Sequence, residues 1–326
     1  MSSQTAQLRS LRGRRVLVTG ASGFLGSHLV ERLIAEGAIV AALSRHRGKR
    51  LSQSRPGKYL FLACDLTDHE AAQSAAAKFS PEVLFHFAAF PDGNESLPQA
   101  RGAIAGNLVA TVNMLEAFRL CGGGVFIYGD SCKVYGDSGV PYRESMAMDP
   151  LSSYAIAKAA GWEFCRQYSR LHRLSCVSLR PTMIYGPRQS FNLIEYVAQA
   201  ILSGAAEVQL DGGSQTRDPL FVEDAMEAFL EVARRGERLS GRIINLGGGS
   251  ERTVHEIAAE VARLMESNIP IVCVEGRKRP TDMRRNYCDN AEAAALLGWR
   301  PKVGLQEGLA RTLSELVHSN VTAVSA

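Results

Sequence analysis

Tyr154 and Lys158 stand four residues apart in "SSYAIAKAAG", a spacing that puts both side chains on one face of a helix. An ammonium beside a phenol stabilises the phenolate and draws the tyrosine pKa from about 10 toward neutrality. Such a tyrosine can take the proton of an alcohol while a hydride leaves the same carbon. Ser131, in "GDSCKVYG", closes an apolar run and can hydrogen-bond the same oxygen. Alone, a tyrosine and a lysine at this spacing make an ordinary surface pair on a helix. What decides between the two readings is whether the chain also offers a place for the hydride to go.

That place is written near the amino end. In "VLVTGASGFLGSHLVERL", Gly20, Gly23 and Gly26 fall three apart, between an apolar run and an amphipathic one. Gly20 permits a tight turn out of a strand, Gly23 lets backbone approach a pyrophosphate, and Gly26 lets helix pack close to strand. The anion then rests on the helix amino end, where unpaired N–H groups and the dipole favour negative charge. A strand before, a helix after and a continuing βαβ pattern make this a dinucleotide loop rather than a structural turn. The ribose-binding acid expected about 20 residues on is missing. Its place reads Leu43-Ser44-Arg45-His46-Arg47. Ser44, Arg45 and Arg47 suit a 2′-phosphate, which a carboxylate would repel, so NADP is favoured over NAD. Asp65, ending a later strand, is positioned for an adenine amine or for a helix start.

The elements that must hold these residues follow from periodicity. Short buried runs predict strands at 15–19, 38–44, 59–66, 82–89, 124–131 and 175–181. Helical spacing predicts helices at 25–36, 107–120 and 153–171. The alternation predicts an α/β fold with a doubly wound parallel sheet, a Rossmann fold. It loosens after Pro181, which predicts a smaller C-terminal α/β substrate lobe. The expected division is a dinucleotide domain at 1–181, with 219–249 returning to it, a substrate lobe at 182–218 and 250–318, and a fraying tail at 319–326. Composition agrees with a globular chain: 326 residues, 46% hydrophobic, 21% charged and a net charge of +4. That charge is too small to argue for nucleic acid, and no apolar run approaches the ~20 residues of a membrane span. The seven scattered cysteines form no C-x-x-C pair. They predict no metal site and a reduced, cytoplasmic setting.

The sequence resembles the extended short-chain dehydrogenase/reductase family of nucleotide-sugar epimerases, dehydratases and reductases. The resemblance runs from about Arg14 to Leu316 on nine ordered motifs: "VTGASGFLGSHL", "CDLTD", "FHFAA", "SCKVYG", "YAIAK", "LRPTMIYGPRQ", "GGSQTRDPLFVEDAMEAF", "INLGGG" and "LLGWRPKVGLQEGL". It implies Tyr154 as acid/base, Lys158 as its electrostatic partner and ribose ligand, and Ser131 as the oxygen-binding hydroxyl. It extends the cofactor contacts to Ser22, Phe24, Leu25, Leu66, Ala88, Ala89 and Pro181. For the nucleoside-diphosphate sugar it implies Ser96, Ser131, Met183, Asn192 and two diphosphate-binding arginines, Arg217 and Arg279. It also implies a homodimer, formed as a four-helix bundle from the 107–120 and 153–171 helices.

The chain departs from the family pattern in places. Met183 replaces an asparagine that contacts substrate. Cys132 and Lys133 stand where 4,6-dehydratases carry Asp-Glu, and a lysine-activated thiol is a possible acid/base pair. Arg188 replaces the catalytic histidine of the GDP-fucose synthase branch. The expected function is therefore a nucleotide-sugar 4-epimerase working by hydride transfer, ahead of a 4-ketoreductase, a dehydratase and a dinucleotide sensor without turnover.

Overall fold

The computed structural model describes residues 9–52, 57–90, 95–274, 276–277 and 281–324. The chain forms two compact units. The first comprises Met1–Asp130, Ser152–Leu179 and Met226–Ile244; the second comprises Ser131–Leu151, Arg180–Ala225 and Asn245–Ala326.

The first half of the chain alternates strand and helix: β1 (Arg15–Thr19), α1 (Phe24–Ala35), β2 (Ile39–Ser44), α2 (Gly48–Ser52), β3 (Leu60–Ala63), α3 (His69–Phe79), β4 (Val83–His86), α4 (Leu97–Ala103), α5 (Ala110–Leu120), β5 (Val125–Gly129), α6 (Ser153–His172) and β6 (Ser175–Pro181). There follow β7 (Met183–Tyr185), α7 (Leu193–Leu202), β8 (Val208–Asp211), β9 (Thr216–Arg217), β10 (Pro219–Phe221), α8 (Val222–Arg235) and β11 (Ile243–Leu246). The last elements are β12 (Arg252–Thr253), α9 (Val254–Leu264), β13 (Ile271–Val274), α10 (Ala291–Leu297) and α11 (Leu305–Val324).

A seven-stranded sheet ordered β3-β2-β1-β4-β5-β6-β11 dominates the first unit. Every pairing from β3 to β6 is parallel. Strands covered on both faces need apolar residues at every position, and β4 is buried along its whole length. Strand order reverses at β1, so the crevice beyond the carboxyl ends of β1 and β4 is the topological switch point where such sheets bind ligands. Leu17, Leu43, Leu84, Met114, Phe118, Phe126 and Trp162 form the core on one side. The Rossmann expectation is met.

The strands are shorter than their apolar runs. β3, β4 and β5 stop at Ala63, His86 and Gly129, and the small or apolar residues that follow belong to strand-end loops. The helix expected at 107–120 begins ten residues earlier. α4 leads through a π-helical turn, Ile104–Val109, into α5. Pro98 is tolerated because it lies in the first helical turn. Gly102 and Gly106 lie under Phe90; a Cβ on either would come within 2.8 Å of that side chain.

The second unit holds three two-stranded pairs, β10–β7, β12–β9 and β13–β8. α9 starts from a capping box between Thr253 and Glu256.

Candidate active site

The glycine loop lies between β1 and α1. Gly20 has φ +67°, and a Cβ there would sit 2.6 Å from the amide nitrogen of Ala88, in the loop after β4. A Cβ on Gly26 would sit 2.2 Å from the Gly20 carbonyl oxygen. Gly23 is the N-cap of α1, no side chain caps it, and the first turn carries no acid. The helix therefore offers its amino end to an anion through backbone alone. This cradle, which side chains would fill, fits a dinucleotide pyrophosphate. Ser22, Phe24 and Leu25 line its helical side, half-buried.

The loop after β2 reaches the cradle, since a Cβ on Gly48 would touch the Ser22 side chain at 3.2 Å. Ser44 is mostly buried, and its hydroxyl donates to the His46 carbonyl at 2.7 Å. That proton closes the turn, so the cations of the loop are Arg45 and Arg47. Arg47 stacks over Phe61 at 5.0 Å. Asp65 accepts hydrogen bonds from the Thr67 amide and hydroxyl, which lower its pKa, with Arg45 adding a smaller pull. The N-cap of α3 is Asp68, not Asp65. Leu66 is buried and Ala89 exposed. The Ala88 amide is engaged by Thr19 Oγ1 at 3.1 Å.

That bond begins a chain of protons. Thr19 Oγ1 lies 3.0 Å from His86 Nδ1, His86 Nε2 lies 3.0 Å from Thr111 Oγ1, and Thr111 donates to the Asn107 carbonyl at 2.7 Å. With the Thr111 proton committed, Nε2 must carry the hydrogen and Nδ1 must accept from Thr19, a tautomer assigned from the network. Burial, aided by the Lys158 charge, drives the His86 pKa down to about 3, so the ring is neutral. Asn107, in the π-helical turn, holds Phe90 by both backbone atoms.

α6 positions the acid–base pair. Ser152 caps it through the Ala155 amide at 3.2 Å. Tyr154 lies in the first turn, half-buried, and Lys158 one turn on, 2% exposed. Lys158 Nζ donates to the Gly129 carbonyl at 2.7 Å and lies 5.1 Å from the centroid of the Tyr128 ring and 5.9 Å from that of Tyr154. The Tyr128 hydroxyl donates to the Lys158 carbonyl at 3.0 Å. Burial lowers the Lys158 pKa to about 8, opposed by the carboxylate of Asp130. An ammonium held beside a half-buried phenol is what a tyrosine base requires.

The second unit carries the other predicted residues. Ser131 caps a 3₁₀ turn, Cys132–Tyr135, by accepting from the Lys133 amide at 3.2 Å. Cys132 is fully buried and donates to the Arg180 carbonyl at 3.0 Å. The thiol is thus committed to a backbone carbonyl, an arrangement that lends no support to the expected Cys132–Lys133 acid/base pair. Asn192 is likewise a cap: its carbonyl oxygen accepts from Ile194 and Glu195 at the start of α7. Met183 opens β7, half-buried, and Pro181 ends β6. Ser96, in the first unit, is the exposed N-cap residue of α4. Arg217 is largely buried. Its guanidinium bonds the carboxylate of Asp282 and the carbonyls of Thr216 at 2.7 Å and Met283 at 3.1 Å. Arg279 lies outside the described residues.

Three carboxylates escaped the sequence reading: Asp130, Asp218 and Asp282. Asp218 is fully buried and accepts from the Ser250 amide at 3.1 Å, with the amides of Gly248, Gly249 and Cys288 also facing it. Burial outweighs these donors and raises its pKa to about 7. The one available signal was adjacency, since Asp130 precedes Ser131 and Asp218 follows Arg217.

A switch-point glycine cradle and a tyrosine–lysine pair on the helix between β5 and β6 define a nicotinamide-linked enzyme. The chain belongs to the NAD dependent epimerase/dehydratase family, whose model matches residues 16–247. It is 35% identical over 309 residues to a UDP-glucose 4-epimerase of Mycolicibacterium smegmatis, covering 92% of this chain and 97% of that one. The crystal structure of a Thermus thermophilus UDP-glucose 4-epimerase complex with NAD matches with a TM-score of 0.83 and 32% identity, over 93% and 99% of the two chains. A Thermotoga maritima UDP-glucose 4-epimerase with UDP-glucose matches with a TM-score of 0.85 and 28% identity, over 94% and 99%.

Proposed function

We propose that the protein is a nucleotide-sugar 4-epimerase acting on a uridine-diphosphate hexose. The observation that carries this is the Lys158 ammonium, buried one helical turn from Tyr154 on α6, in the unit that bears the glycine cradle. Tyr154 takes the proton of the C4 hydroxyl and later returns it, Lys158 stabilises the phenolate in between, and Ser131 hydrogen-bonds the same oxygen. NAD(P), when bound, supplies a hydride acceptor and donor. Gly20, Gly23 and Gly26 hold its pyrophosphate, and Lys158 its ribose. Arg217 and Arg279 take the sugar's diphosphate, through the forked donors that suit arginine to phosphate.

Arg45 and Arg47 support a preference for NADP. The half-exposed Ile104 and Ile156, on the π-helical turn and on α6, support a homodimer through those helices. No helix among the described residues is long and apolar enough to cross a membrane, in keeping with a cytoplasmic enzyme.

The test is incubation with UDP-glucose and UDP-galactose without added reductant. Interconversion is expected, with no net change in cofactor redox state. Stoichiometric NADPH oxidation by a 4-keto-6-deoxy nucleotide sugar, without interconversion of any C4 epimer pair, would replace this reading with a 4-ketoreductase, a reading that the cationic loop favours.

A further inference from the structure

Burying a lysine costs free energy unless something nearby favours its charge. The groups around Lys158 come from three directions. β5 brings the Tyr128 ring and the Gly129 carbonyl, α6 brings Tyr154 and Cys165, and β4 brings the neutral His86. Immediately after β5 comes Asp130, the one carboxylate of this set, itself only 4% exposed. Its amide is tied to the Leu179 carbonyl at 2.9 Å, and its Oδ2 accepts the Ser178 hydroxyl of β6 at 2.9 Å. Both partners lie on β6, so the carboxylate is tied to the neighbouring strand, one residue beyond the carbonyl that receives Lys158 Nζ.

We propose that Asp130 is a positioning residue for the acid–base pair, the counter-charge that keeps Lys158 protonated inside the protein. The inference rests on the Tyr154–Lys158 reading above and adds to it the group that makes an ammonium tenable there. Without Asp130, Lys158 would lose its proton within the working pH range, and Tyr154 would lose the cation that stabilises its phenolate.

The experiment follows Lys158 directly. Protein labelled with [ε-¹³C]lysine is titrated by NMR, and the Lys158 resonance is assigned by its loss in Lys158→Arg. The parent midpoint should fall near pH 8. Asp130→Asn should lower it by a unit or more, and Ser178→Ala, which loosens the carboxylate but leaves its charge, by less. The alkaline limb of UDP-hexose turnover should move down with the midpoint, leaving Asp130→Asn about tenfold slower than the parent above pH 8 and close to it near pH 6.5. A midpoint unmoved in a folded Asp130→Asn protein would overturn the proposal, as would a uniform loss of turnover at all pH values. If Asp130→Asn fails to fold, the same titration is read on Asp130→Ser, which also removes the charge, and an unmoved midpoint there overturns it. Full turnover in Tyr154→Phe would instead overturn the acid–base reading, whatever the midpoint does.

Discussion

Arg217 and Asp282 form an ion pair that is largely shielded from solvent within the second unit. The guanidinium that the family pattern assigns to a diphosphate therefore already faces a carboxylate. A charge-assisted bond is worth about 1.5–3 kcal/mol, so Arg217→Ala should weaken UDP binding roughly 10–100-fold by calorimetry and leave nicotinamide dinucleotide binding unchanged. Asp282→Asn removes the competing anion, and inorganic pyrophosphate should bind it more tightly than it binds the parent. Equal weakening of both ligands by Arg217→Ala would count against a diphosphate role.

Tyr154→Phe keeps the ring and removes the proton carrier. General acid–base assistance contributes about 10²–10⁴-fold, and turnover should fall on that scale while cofactor affinity, measured by fluorescence, is retained. A fall in both would mean that the ring had moved.

Gly26→Ala sets a methyl 2.2 Å from the Gly20 carbonyl oxygen. Backbone cannot yield as a flexible side chain can, so the loop must open. A stability loss of about 1–3 kcal/mol should appear in denaturant melts, with a larger proportional loss of dinucleotide affinity. Gly122, where a Cβ would meet nothing within 4 Å despite a φ of +69°, is the control: its replacement should leave dinucleotide binding intact.

Asp218 makes stability depend on pH. Its folded pKa, about 7, lies above the ordinary 3.8 because burial penalises the charge. The folded state then holds a proton that the unfolded chain has released. The stability this lends is complete below about pH 4 and is lost as pH rises toward 7, by up to about 4 kcal/mol. Asp218→Asn cannot titrate, so the parent's Tm advantage over it should shrink from pH 5 to pH 8. A constant difference would show the carboxylate ionised throughout.

The sheet was legible because a parallel strand covered on both faces admits almost nothing but Val, Ile, Leu, Phe and small residues. Arg15–Thr19 and Ser175–Pro181 could be bounded to the residue. The stretch from Leu97 to Val109 was not. Pro98, Gly102 and Gly106 are loop signals in a linear reading, yet the proline lies in a first turn and the glycines make room for Phe90. Tyr154 and Lys158 were legible because helical spacing carries their geometry. Asp130 was not, since a lone acid beside a glycine reads as a turn and its partner Ser178 lies 48 positions away. Asn192 caps α7, the default role of an asparagine before an apolar helix, and its substrate role rests on the motif match alone.

His86 sets a condition on its position that no motif states. The proton chain through it starts at the amide of Ala88, which can only donate, and ends at the carbonyl of Asn107, which can only accept. Direction is therefore imposed from both ends, and the side chain between must take a hydrogen on one edge and give one on the opposite edge. Asparagine and glutamine carry both functions on a single terminal carbon and cannot face two ways at once. The imidazole is thus a connector of fixed polarity, joining the loop beside the glycine cradle to the π-helical turn. It is closed off from solvent, and its pKa, pushed down to about 3, keeps it neutral while the connection stands.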